Sequence, residues 1–143
     1  RLTDGTKELL MGSRNGMAIR FAESGLRPTG RASMGVKSMA LDEDDEVVDL
    51  SIVEEGKQVL SITENGYGKR TDIDEYRLQG RGGKGVKAMN LTEKTGPLAA
   101  QLLVQRACTC FLNDLISTQV VRELDDVDLR IGEEFFRLHV KEH

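Results

Sequence analysis

Three observations predict an all-β chain built as a partial, propeller-like array of blade repeats: a gapless internal duplication, Asn-Gly turns between short apolar-alternating runs, and an apolar run closing each copy. Sliding the sequence by fifty residues lays Lys7 to Glu43 over Lys57 to Glu93, with fourteen identities in thirty-seven positions. Such self-similarity is the signature of a repeat architecture. The proposed units are residues 1–56, residues 57–106 and a divergent tail, 107–143.

The elements follow in order. "ELLMGSRNGMAIRF" (8–21) and "QVLSITENGYGKRT" (58–71) each carry an Asn-Gly between alternating runs, and Asn-Gly readily supplies the positive φ values of a tight hairpin turn. "GVKSMAL" (35–41) and "GVKAMNL" (85–91) alternate with period two, and "EVVDLSIV" (46–53) and "PLAAQLLV" (97–104) end the units, so each unit is expected to hold about four strands. Four-stranded repeats of about 40 to 50 residues are propeller blades, whose small sheets bury their faces against neighbouring sheets. A solenoid of β-units is the second architecture the repeat allows. The tail is different: "QRACTCFLNDLISTQVVRELDD" (105–126) has no counterpart, a short helix or an extra strand is expected within 107–122, and "DDVDLRIGEEFFRLHVKEH" (125–143) reads as the first hairpin of a partial third blade.

Composition excludes several classes. A chain of 143 residues with 38% hydrophobic residues, 4% aromatics and no Trp supports about one domain with a thin core. No run approaches the roughly 18 apolar residues of a membrane span, and no signal-peptide pattern opens the chain, so a cytoplasmic location and no membrane partner are expected. Opening on Arg1 and not Met, the chain reads as a piece of something longer. Cys108 and Cys110 are too close for a comfortable bridge, and with His139 and His143 they leave one residue where paired zinc cysteines have about two to four. No metal and no cofactor are expected.

The densest chemical signal is "QGRGGKGVKAMNL" (79–91), where Arg81, Lys84 and Lys87 interleave with Gly82, Gly83 and Gly85. Glycines let the backbone approach a polyanion closely while cations reach around it. The first unit repeats the pattern in weaker form, with Arg31 and Lys37 but Met34 in place of a lysine. Arg20 and Arg70 follow the hairpin turns, and Lys69, Arg14, Arg27 and Arg77 can add to the same rim. An alternative reading makes these cations solvated edge charges that guard against aggregation. A nucleotide loop is not expected, because Lys84 is followed by Gly85 and a strand, where a phosphate loop needs a hydroxyl residue and a helix start.

The formal charge of -4 conceals a division. Residues 1–40 hold seven basic and three acidic side chains and residues 69–94 hold seven and four, whereas the tail from 107 holds four and eight. Net charge matters less to a polyanion than where the cations lie. The acidic run in "DEDDEVVDL" (42–50) is expected on faces or connections away from it.

Residues 2–48 and 63–98 resemble successive blades in the C-terminal domain of the DNA gyrase A subunit, and the likeness covers residues 1 to about 104. That family folds as a β-pinwheel, usually of six blades, and the resemblance implies that duplex DNA wraps around a basic outer rim to support negative supercoiling by a type IIA topoisomerase. The partners it implies are the gyrase B subunit, together with a second A subunit. It also implies a bacterial cytoplasmic, nucleoid-associated location and a cleavage tyrosine in another domain. Tyr67 and Tyr76 are therefore expected to be structural or rim residues, and the chain alone to have no catalytic residue. The family's box reads Gln-Arg-Arg-Gly-Gly-Lys-Gly, and here Gln79 to Gly85 has Gly80 in place of the first Arg. That and the flanking residues mark a secondary copy. The expected DNA-binding set is Arg81, Lys84, Lys87, Arg31, Lys37, Arg70, Lys69, Arg20, Arg77 and Arg27. The near-intact heptapeptide favours gyrase over topoisomerase IV, which has a related domain. A propeller-like protein-interaction module is the reading from another class, and unclosed blade edges predict self-association.

Overall fold

Alternating apolar residues fold the chain into strands, and the hairpins form where the Asn-Gly pairs stand. The computed structural model describes residues 2–105, 127–131 and 134–138. Strand β1 (Glu8–Ser13) turns into β2 (Met17–Ala22), β3 (Val47–Ile52) follows, and β4 (Lys57–Thr63) turns into β5 (Tyr67–Asp72). Two-residue strands β6 (Leu78–Gln79) and β7 (Val86–Lys87) flank the glycine-rich loop, and β8 (Leu98–Gln105) closes the second unit. The fold is all-β, with only the 3-10 turns Glu23–Gly25 and Ile73–Glu75 interrupting it among the described residues.

The hairpin turns differ from the simplest expectation in one respect. Each has three loop residues, Gly16 N–H donates to Ser13 O and Gly66 N–H to Thr63 O, and only Gly16 and Gly66, each at φ 80°, take positive φ. Asn15 and Asn65 remain on the ordinary side of the map, because a three-residue loop puts the left-handed demand on its last residue alone. Ser13 and Thr63 finish the turns alike: both are fully buried, and their hydroxyls accept the Met17 and Tyr67 amides.

Two sheets result, and they do not follow the repeat boundaries. The first runs β3-β1-β2-β6, with β7 also on β2; the second joins β4, β5 and β8 to a tail pair, β9 (Val127–Ile131) and β10 (Glu134–Leu138), in the order β10-β9-β5-β4-β8. The second repeat thus contributes edge strands to the first repeat's sheet: β6 lies parallel to β2 at Arg20↔Leu78 and Phe21↔Gln79, and β7 antiparallel at Met17↔Lys87 and Ala18↔Val86. The strand expected in "GVKSMAL" does not form. Its backbone is instead used by the glycine loop, Gly82 N–H donating to Ser38 O at 2.7 Å and Ala40 N–H to Gly83 O at 2.8 Å. In the tail, β9 and β10 form the expected antiparallel pair, and β9 lies parallel to β5 at Tyr67 and Gly68. The expectations for residues 107–122 and for Cys108, Cys110, His139 and His143 lie outside the described residues.

Strand alternation sorts the core into two faces. Leu10 and Ala18 point toward the second sheet and pack with Val59, Ile73, Tyr76 and Ala88, while Leu9, Ile19 and Phe21 point away and pack with Met39. Tyr76 is only 2% exposed and is thereby a structural residue. Burial raises the pKa of its phenol.

Candidate nucleic-acid interface

The glycine loop owes its shape to the β2 edge it crosses. β6 runs one way along β2, the chain reverses through residues 80–85, and β7 returns along the same strand. Gly85 makes the reversal possible: it sits at φ 81°, and a Cβ there would stand 2.2 Å from the Ala18 carbonyl oxygen. Gly82 also takes positive φ, at 85°. Gly80, where the family's box has arginine, has an ordinary φ and nothing within 4 Å of an added Cβ. Two of the loop's glycines are therefore demanded by its backbone conformation, and Gly80 is not.

This path sets the two box copies side by side. The Arg81 guanidinium donates to the Lys37 carbonyl at 3.3 Å, next to the backbone bonds that join Gly82 and Gly83 to Ser38 and Ala40. Lys69, on β5, donates to the Ala88 carbonyl at 3.5 Å, beside Lys87. Lys37, Lys69, Arg81, Lys84 and Lys87 are all exposed around this junction. The Lys84 ammonium lies 2.9 Å from Asp42 Oδ1, and the hydrogen bond to that carboxylate raises the lysine's pKa. Arg27, Arg31, Arg70 and Arg77 are exposed, and their side chains make no hydrogen bond or ion pair among the described residues. Five exposed cationic residues thus belong to the segments that form the junction, while four others stand along the exposed surface.

Arg20 takes a different place. Its side chain is only 17% exposed, its Nε donates to Glu8 at 2.7 Å, and its terminal nitrogen donates to the carbonyls of Ile73 and Tyr76 at 3.1 and 3.3 Å. It clamps the first sheet to the second repeat's 3-10 turn. Arg14, in the first hairpin loop, is also committed, bridging Glu64 of the second hairpin loop at 2.6 Å and Glu46, just before β3, at 3.5 Å. Repeat position cannot separate Arg20 from its exposed counterpart Arg70. The signal that could have done so is the sequence on either side within the same strand: Ile19 and Phe21 flank Arg20, whereas Lys69 and Thr71 flank Arg70.

Sequence reasoning passed over Lys94, Gln79 and the role of Asp42. Lys94 stands 5.8 Å from the centre of the Tyr67 ring, a cation–π distance. Gln79 lines an open groove with Ala22, Ser24, Gly25, Gly80 and Arg81, and its Nε2 is buried without a partner. Chemically, the junction can hold a polyanion by charge and by close backbone approach. The glycine loop leads into β7 and not a helix, so it lacks the aligned helix-start amides of a nucleotide loop. No helix among the described residues is long and apolar enough to cross a membrane, and no group of three or more His, Cys, Asp or Glu there could hold a metal ion.

A small sheet that takes edge strands from the next repeat through a glycine-rich cationic turn defines a β-propeller array of the pinwheel class. The family model for the DNA gyrase C-terminal domain, beta-propeller, matches residues 7–54 and 57–100, and the chain belongs to that family. It is 51% identical over 98 residues to the DNA gyrase A subunit of Staphylococcus epidermidis and 50% identical over 98 residues to that of Staphylococcus aureus. Each match covers 67% of this chain and 11% of the relative, so the chain spans about a tenth of the length of those relatives. Among solved structures, the C-terminal domain of DNA topoisomerase IV aligns with TM-score 0.68 and 28% identity, covering 73% of this chain and 33% of that one. A DNA gyrase A C-terminal domain aligns with TM-score 0.63 and 30% identity, covering 70% and 34%.

Proposed function

We propose that this chain is a non-catalytic DNA-binding segment from the C-terminal domain of a gyrase A subunit, which holds duplex phosphates at its cationic rim to support wrapping and negative supercoiling. The carrying observation is the junction where the box loop, folded on the β2 edge, meets the first box copy, with Lys37, Lys69, Arg81, Lys84 and Lys87 exposed around it. Arg27, Arg31, Arg70 and Arg77 extend the contact along the rim. Arg20 supports that surface from below and is withdrawn from direct contact. The parent enzyme supplies the remaining partners, the gyrase B subunit with a second A subunit, in the bacterial cytoplasm at the nucleoid. Residues 1–56 and 57–106 are the two blade units of this reading, with 107–143 outside them. About 50% identity to gyrase A subunits favours gyrase, while the topoisomerase IV fold match keeps that paralogue as the second reading.

Duplex binding measured by fluorescence anisotropy against salt tests the proposal. Engagement of four to six phosphates gives a log–log slope of roughly -4 to -5, and replacing Arg81, Lys84 and Lys87 together with Ala reduces it by about two to three. Binding indifferent to both salt and these substitutions overturns the proposal. Sedimentation of the purified chain tests the expected self-association through open blade edges; a monomer at every concentration rejects it.

A further inference from the structure

We propose that Asp42 is a tuning residue for the box: its carboxylate occupies Lys84 in place of a phosphate oxygen, and the polyanion must displace it. The inference rests on the DNA-binding reading above. Three observations carry it.

The first is geometric. Asp42 Oδ1 lies 2.9 Å from Lys84 Nζ across forty-two residues of sequence, and Lys84 is the only hydrogen-bond or salt-bridge partner of that carboxylate among the described residues. Its oxygen stands where a phosphate oxygen would accept from the same ammonium. The second is energetic. Both side chains are largely exposed, 70% for Lys84 and 69% for Asp42. Exposed pairs of this kind add little to stability and are screened by salt, so holding the fold together is a weak reason for the pair.

The third comes from the duplication. The turn containing Asp42, "DEDDE" (42–46), has as its counterpart "TEKTG" (92–96). Both turns serve the hairpin loop before them: Asn15 N–H donates to Asp45 Oδ1, and Asn65 N–H donates to Thr95 O. Within the first, Asp45 N–H donates to the Asp42 carbonyl; within the second, Gly96 N–H donates to the Thr92 carbonyl. The second copy closes its turn with threonine hydroxyls, Thr92 and Thr95 bonding each other's amides. A carboxylate at position 42 is therefore not required by the turn. Asp45 and Glu46 have local roles, at Asn15 and Arg14, and Asp42 alone of the three reaches the box.

The experiment compares the 143-residue chain with Asp42→Asn, using a short duplex and anisotropy from about 50 to 200 mM salt. Asp42→Asn is expected to bind about twofold to fivefold more tightly at the low end, because Lys84 meets a phosphate without first displacing a carboxylate. Asp44→Asn, an exposed neighbour with no ion pair among the described residues, changes affinity less than about twofold. In a Lys84→Met background, Asp42→Asn loses its effect. A DNA-free readout accompanies these: the Lys84 amine followed by NMR titrates at lower pH in Asp42→Asn than in the parent chain. Unchanged affinity in Asp42→Asn, or the same gain in the Lys84→Met background, overturns the tuning role while leaving the binding reading intact. Failure of the parent chain to bind the duplex in a salt-dependent way overturns both.

Discussion

The two box copies share a pattern and differ in what they rest on. Residues 80–87 are folded onto β2, with Gly85 against the Ala18 carbonyl and Gly82 and Gly83 bonded to Ser38 and Ala40. Residues 30–37 are exposed throughout, form no strand, and leave Gly30 and Gly35 with nothing within 4 Å of an added Cβ. The difference teaches that the box is not a self-contained turn. Its two short strands need a neighbour's edge to accept their hydrogen bonds, and the second copy finds that edge in the first repeat. Arg20 and Arg70 repeat the lesson, since the same residue at the same repeat position is a partly buried clamp in one sheet and an exposed cation in the other.

The sharpest break of this comparison is at the paired glycines. Gly85→Ala forces a Cβ against backbone at 2.2 Å with φ at 81°, and is expected to cost more than about 3 kcal/mol in a denaturant melt. Gly35→Ala meets open space at φ 87° and costs only the left-handed backbone preference, about 1–2 kcal/mol. Equal losses would show that the two copies share one environment. Next in size are the arginines: Arg20→Met removes charge-assisted bonds to Glu8 and two carbonyls and lowers stability by about 2–3 kcal/mol. Arg70→Met stays within about 0.5 kcal/mol of the parent in the same melt, while its salt slope for duplex binding becomes shallower by about one.

Smaller effects sharpen the contrast in binding. Replacing Arg31 and Lys37 with Ala is expected to flatten the duplex salt slope less than the triple replacement of Arg81, Lys84 and Lys87, because the second copy brings one more cation and a closer backbone. A larger effect from the first copy would reverse the assignment of the principal contact. Gly80→Arg is expected to be the mildest change: its Cβ meets no atom within 4 Å, so the melt is unchanged within about 0.5 kcal/mol. The added cation steepens the salt slope by about one, and a large loss of stability would show that the groove beside Gly80 is closed.

Much of this architecture was legible because it repeats. The hairpins, the closing strands β3 and β8, and the cationic glycine loop each leave a local pattern twice, fifty residues apart. The missing strand in "GVKSMAL" was not legible, because a period-two pattern reports that a segment can pair and not whether an edge lies within reach. The withdrawal of Arg20 was hidden for a related reason: its carbonyl partners at Ile73 and Tyr76 are more than fifty residues away. Asp42 stood in a run that read as a charged connection away from the box, yet its carboxylate meets Lys84.

What the sequence determined by itself is the set of local decisions: strands where apolar residues alternate, turns where glycine relieves positive φ, and a division between cationic and acidic segments. Only the tertiary structure decided which repeat's edge receives the box, which arginines keep their charge for solvent, and which carboxylate faces Lys84. The reason is physical. Backbone preference and alternation act over a few residues, whereas an edge hydrogen bond or an ion pair depends on which distant segments the folded chain brings within about 3 Å of one another.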